Sequence, residues 1–177
     1  LEMMKAHHFI LGYDLVLSKG FQFRAETYYQ RLFDIPVGES NGRSFYYLNR
    51  VEGYVDETLL SEGTGVNYGI DLTLEKSFQR GLFLLVNASL FESKYKGLTN
   101  QWHSTQFNSN FAASLTGGKE WEFKKVSFLQ LGWKCIYNHG MPSTPLIDDT
   151  LPTERPPYDW SRPYSNRVDA YYRLDLR

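Results

Sequence analysis

The chain has 177 residues, 42% hydrophobic and 22% charged, a balance that one ordinary soluble domain would also show. Its formal net charge of -1 gives none of the clustered Lys and Arg that neutralise phosphates, which excludes nucleic acid as a partner. A mean hydropathy of -0.44 and a longest wholly apolar run of only Leu82 to Val86 exclude a transmembrane helix, which needs about 20 apolar residues. A membrane β-barrel passes that filter, because its strands need only about 10 residues and every second side chain faces the lumen. The aromatic content of 16%, with 13 Tyr, suits a barrel whose rims carry amphipathic rings, and also a Tyr-rich soluble sandwich.

In chain order, Phe9, Leu11, Tyr13, Leu15 and Leu17 alternate with Ile10, Gly12, Asp14 and Val16 in a first strand that ends at Ser18-Lys19-Gly20. A tight hairpin leads to a second strand, with Phe21, Phe23, Ala25, Thr27 and Tyr29 opposite Gln22, Arg24, Glu26, Tyr28 and Gln30. A long connection is expected from about Pro36 to Gly65. The third strand, Val66 to Lys76, has the cleanest period of two and turns at Ser77 to Arg80 into a fourth, Gly81 to Tyr95. A medium loop from Lys96 to Gln106 precedes a fifth strand starting near Phe107, followed by a short turn at Phe123 to Lys125. The sixth strand sets Leu129, Leu131, Trp133, Cys135 and Tyr137 on one face. A Pro-rich connection from Gly140 to about Tyr164 then leads to a seventh strand, Ser165 to Arg177.

Short and long connections alternate throughout, so every long one falls at the same end. Transmembrane barrels show this pattern, with tight periplasmic turns and extended extracellular loops. The opposite faces carry Arg24, Glu26, Asp71, Glu75, Lys134, Asp169, Arg173 and Asp175, charges that suit a wide wet lumen and equally the solvent face of a soluble sheet. The expected fold is therefore an all-β, antiparallel transmembrane β-barrel fragment of about seven up-and-down strands, residues 1–177 forming one partial barrel domain. No basic region followed by an apolar stretch opens the chain, which for an outer-membrane protein points to an internal fragment.

Several segments carry a family resemblance. Met4-Lys5-Ala6-His7-His8-Phe9, Leu11-Gly12-Tyr13-Asp14, Glu26-Thr27-Tyr28-Tyr29-Gln30 with Asp34-Ile35-Pro36-Val37, and the run Gly63 to Lys76 resemble the TonB-dependent receptor family. Ser89 to Gly97, Gly117-Gly118-Lys119-Glu120, Thr144-Pro145-Leu146-Ile147-Asp148 and Tyr171-Tyr172-Arg173-Leu174-Asp175 resemble successive segments in the C-terminal part of the barrel of its Bacteroidetes-type members. The resemblance runs in order along nearly the whole chain. It implies an outer-membrane receptor that takes up a scarce ligand, be it siderophore, cobalamin, glycan or peptide, by energy-coupled transport through a barrel of 22 strands around an N-terminal plug. Outer-membrane lipid would be one partner and a small ligand at the extracellular loops another. The TonB complex would be reached only through an N-terminal part absent here. A passive porin-like or structural barrel and a soluble antiparallel β-sheet binding module remain the alternatives.

No enzyme chemistry stands out. Gly63, Gly65 and Gly69 lead into a strand instead of a helix, unlike a phosphate loop. His7 and His8 point to opposite faces of a strand, and His103 and His139 lack partners at ligand spacing, so no metal is expected. Asp148, Asp149, Glu154 and Asp159 share a loop without EF-hand spacing. Asn87-Ala88-Ser89 is a glycosylation sequon buried in a strand pattern. Gly38-Glu39-Ser40-Asn41-Gly42 is slightly similar to the serine motif of outer-membrane phospholipase A, yet a Gly stands where that family has its His, leaving the hydroxyl without a base. Cys135 is the only cysteine, so no internal disulfide can form. Catalytic residues and cofactors are expected to be none, and Tyr46, Tyr47, Tyr54, Trp102, Tyr158 and Trp160 are the loop aromatics able to meet a ligand without defining a pocket.

Overall fold

The structure, a computed structural model, describes residues 1–40, 43–49, 58–99, 101–123, 127–147 and 158–177. Its strands are β1 (Lys5–Val16), β2 (Phe21–Ser40), β3 (Arg43–Tyr46), β4 (Leu60–Gln79), β5 (Leu82–Lys96), β6 (Trp102–Ser104), β7 (Phe111–Phe123), β8 (Ser127–Asn138), β9 (Pro142–Ser143), β10 (Asn166–Arg167) and β11 (Tyr171–Leu176). Seven of them form an antiparallel meander in the order β1-β2-β4-β5-β7-β8-β11, with β3 added to β2, β6 added to β5, and β9 and β10 paired apart. Among the described residues the sheet is open, not closed into a barrel, and β1 and β11 are its two edges.

Register explains why the alternation was so clean. Residues directly opposite across strands share a face, and one row runs Tyr13–Ala25–Leu72–Ala88–Ala113–Tyr137–Tyr172. The next runs Leu15–Phe23–Leu74–Val86–Leu115–Cys135–Leu174, so seven strands contribute to one continuous apolar face. Nothing among the described residues covers it: Leu11 is 72% exposed and Leu174 62%. On the other face the row Asp14–Arg24–Thr73–Asn87–Ser114 is tied laterally. Arg24 Nε donates to Asp14 at 2.6 Å, and Thr73 donates to Asn87 at 3.0 Å.

The short connections are built from left-handed residues. Lys19 (φ 62°) and Gly20 (φ 77°) turn β1 into β2, and Arg80 (φ 53°) and Gly81 (φ 71°) turn β4 into β5, positive φ at two successive residues as the right-handed strand twist favours. The turn expected at Phe123 to Lys125 falls largely outside the described residues.

The long connections depart from expectation. Among the described residues from Pro36 to Gly65 most are strand: β2 continues to Ser40, pairs with β3, and β4 begins at Leu60. The cause of the hidden periodicity is a bulge between Leu32 and Ile35, where Asp34 adopts φ 55° and shifts the alternation. The Lys96 to Gln106 loop contains β6, which returns along β5. The fifth strand starts at Phe111 instead of Phe107, because Asn110 turns the chain at φ 64°. The seventh is split into β10 and β11. Since consecutive meander strands are antiparallel, the connections from β2 to β4, β5 to β7 and β8 to β11 all lie at one end.

Candidate functional site

At that end, parts of the three long connections fold together on the polar face of the sheet. Ile35, Val37, Tyr46 and Tyr95 are the buried apolar residues, and Leu32, Leu48, Leu98 and Tyr164 pack around them. Tyr46 stacks on Tyr95 with ring centroids 4.4 Å apart, while Tyr164 meets Tyr95 edge-on at 6.5 Å. Glycine makes this approach possible, since a Cβ at Gly65 would stand 2.5 Å from the Tyr46 hydroxyl. Burial pushes the Tyr46 and Tyr95 hydroxyls well above the ordinary tyrosine range and lowers the pKa of His103, whose ring lies 5.6 Å from Tyr95.

Hydrogen bonds join the same connections. The Arg167 guanidinium donates to the carbonyls of Asn108 (3.0 Å), His139 (3.2 Å) and Gly140 (2.7 Å) and to Asn110 Oδ1. Gln106 donates its backbone N–H to Asn49 Oδ1 at 3.2 Å and its side-chain amide to the Asn49 carbonyl. Asn108, almost fully buried, accepts from the Ser93 N–H at 3.0 Å and donates to Ser104 at 3.2 Å.

Below this cap a groove of about 370 Å³ opens on the polar face, lined among others by His8, Glu26, Tyr28, Gln30, Phe91 and Phe107. Its upper wall is a lateral ladder in which Asn67 donates to Gln30 Oε1 at 2.7 Å, Ser93 to Asn67 Oδ1 at 2.6 Å and Thr105 to Ser93 at 2.8 Å. Gly69 stands between Tyr28 and Phe91 in register, and the Tyr28 hydroxyl would lie only 2.8 Å from a Cβ there.

The loop aromatics do not converge. Tyr46 is spent in the cap. Trp102 is exposed beside Lys96 (5.7 Å), Tyr47 is exposed, Tyr158 and Trp160 meet each other at 5.8 Å, and Tyr54 lies outside the described residues. Tyr95, Tyr164, Tyr28 and Phe91 were legible only as strand or loop residues; the lone signal for the close packing was the string of glycines from Gly63 to Gly69.

The rejected motifs land as follows. Gly63, Gly65 and Gly69 lie within β4. His7 is opposite Arg31 and His8 opposite Gln30, on the two faces of β1. His139 Nδ1 lies 3.4 Å from the Tyr137 hydroxyl, and no cluster of three metal-binding side chains occurs among the described residues. Asp159 accepts from the Ser161 hydroxyl at 2.5 Å and from Arg162, which hold its carboxyl below the usual range, whereas Asp148, Asp149 and Glu154 are outside the described residues. Asn87 is mid-strand between Thr73 and Ser114, and Ser40 pairs through its backbone with Arg43. No family model, no curated protein and no solved structure matches this chain.

Proposed function

We propose that these strands are part of the wall of an outer-membrane β-barrel of the TonB-dependent receptor type, which takes up a scarce ligand by energy-coupled transport. The observation that carries the reading is the uncovered apolar face. A soluble sheet leaves no such face bare, since exposed apolar patches on monomers seldom exceed a few hundred Å². Its dimensions suit a bilayer. On β4 the face runs apolar from Val66 to Leu74 and meets a charge at Lys76; on β5 it runs from Leu82 to Leu90 and meets Glu92. Eight residue steps at about 3.3 Å span about 26 Å, close to the roughly 25 Å band of outer-membrane barrels.

Strand tilt supports it too. The apolar stretch of β1 centres on Tyr13 and that of β8 on Trp133, yet register joins Tyr13 to Tyr137, four residues away, across five interstrand gaps. A slip of about 13 Å over about 24 Å inclines the strands by about 30° to the band, approaching the 35–45° tilt of closed barrels. The long connections at one end and the in-order resemblance favour a receptor over a plain sheet; an upstream plug domain would separate receptor from passive porin.

The test is the parent polypeptide in the outer-membrane fraction of its source cell. A species several times 20.6 kDa, with spin labels at Leu72 and Leu174 in contact with lipid, is the expected result. A 20.6 kDa species in the aqueous fraction, with both labels bathed in water, would refute it.

A further inference from the structure

We propose that the edge of the apolar face beside the short turns docks the phosphate headgroups of anionic phospholipid, an inference that rests on the membrane part of the receptor reading. Lys76 follows Leu74 on that face of β4, and Lys119 lies in register with Leu82 and Leu131. Lys19 and Arg80, both exposed, stand in the two turns. The four form one row. Lys76 Nζ donates to the Lys19 carbonyl at 3.5 Å, and Lys119 Nζ donates to the Arg80 carbonyl at 2.8 Å. Each ammonium also lies over a ring, Lys76 at 5.3 Å from the Phe21 centroid and Lys119 at 5.9 Å from that of Trp121. Rings and stems keep the apolar part on the sheet and hold the charge at the boundary with water.

The positive charge there is positioned but not neutralised. A backbone carbonyl takes one of the three donors of each ammonium, and among the described residues none of the four cations forms an ion pair. The carboxylates of these strands are on the other face: Glu75 is in register with Gln22 and Leu85, Glu120 with Gln130 and Glu122 with Phe128. At the opposite edge of the apolar face carboxylates are mixed in, Lys94 pairing with Glu92 at 2.9 Å and Lys5 with Asp34 at 2.7 Å. A row of cations joined to an apolar strip matches a molecule with an anionic head and acyl chains. An acidic protein partner would satisfy the charges and leave Leu74, Leu82 and Leu131 beside them uncovered.

The experiment uses the full-length parent protein, purified from the outer membrane in an uncharged detergent, stripped of lipid, and titrated with phosphatidylglycerol or phosphatidylcholine under native mass spectrometry. Heat-modifiable migration on gels first establishes the folded barrel. Phosphatidylglycerol should bind at least about tenfold more tightly than the zwitterionic lipid. Lys76→Gln with Lys119→Gln should weaken it about fivefold for each cation and about 25-fold for both, while Lys5→Gln with Lys94→Gln at the opposite edge leaves it unchanged. Inorganic phosphate should not displace the lipid; displacement would make this a free-ion site and overturn the lipid assignment. A heat-modifiable barrel that binds the two lipids equally, or whose preference survives the Lys76 and Lys119 variants, overturns the headgroup edge and spares the receptor reading. A parent that is not heat-modifiable and stays in the aqueous fraction overturns both.

Discussion

Placing an arginine at Ile70 separates lipid from water on the apolar face. Ile70 sits in the middle of the β4 stretch, with Val66 four residues to one side and Leu74 four to the other. At about 3.3 Å per residue it is about 13 Å along the strand from each, close to half of a band roughly 25 Å tall. Arginine at a bilayer midplane costs about 2–4 kcal/mol, roughly 30-fold to 1,000-fold in the folding equilibrium. Leu74→Arg should cost only about 0–1 kcal/mol, because it lies at the end of the apolar stretch, two residues from Lys76. The assay is reversible guanidinium unfolding of the parent barrel in phospholipid vesicles, read by tryptophan fluorescence. On a solvated sheet both substitutions would fall within about 0.5 kcal/mol of zero. Equal costs at the two positions would therefore refute the depth assignment.

Further outcomes concern the cap. Gly65→Ala forces a Cβ to 2.5 Å from the Tyr46 hydroxyl and 3.1 Å from Leu32 Cδ1, and should destabilise by about 1–3 kcal/mol in the same unfolding assay. Tyr95→Ala empties a site only 1% exposed and should cost about 3–5 kcal/mol, with proteolytic sensitivity rising in all three long connections together. Arg167→Lys keeps the charge but cannot reach three carbonyls and Asn110 at once, so hydrogen exchange at the N–H groups of Asn108 and Val168 should quicken while the mid-strand amides of β4 stay protected. His103 is depressed by burial, so its unfolded form takes up a proton first. The cap should hold fully above about pH 6.5 and loosen as pH falls from there through the lower folded value, and His103→Gln should flatten that profile in exchange measurements.

The sheet was readable because its side-chain period is two and its faces differ. Val66 to Lys76 alternates without interruption, and register extends that alternation to its neighbours, so a local pattern predicted a long-range face. The pattern failed where one residue broke phase. Asp34 at positive φ bulges β2 and concealed its last third, and Asn110 at positive φ delays β7 by four residues from the expected start at Phe107. The cap was illegible for another reason. Tyr46, Tyr95 and Tyr164 span about two thirds of the chain's length and come together only because alternate connections of a meander share an end. The groove is a product of four strands, and no single strand's sequence reveals that Tyr28, Gly69 and Phe91 are neighbours across them.

The open edges constrain what the membrane reading requires. Among the described residues, β1 offers one side of its backbone from Lys5 to Val16 without a strand partner, and β11 does the same from Tyr171 to Leu176. In hydrocarbon each unpaired N–H or C=O costs several kcal/mol, so no sheet can face lipid with such edges bare. If the apolar face meets lipid, further strands must therefore pair with β1 and β11. The two outer strands should then be the ones that change on isolation: cysteine pairs engineered between each edge and its flanking strand should crosslink in the parent barrel. The register β4 keeps with β2 and β5 should be unaltered there, because both of its ladders are already complete. Crosslinking of β1 directly to β11 in a membrane-embedded parent would contradict that scheme, since it would close a barrel of seven meander strands whose polar face has to hold the cap and the groove within a far narrower lumen.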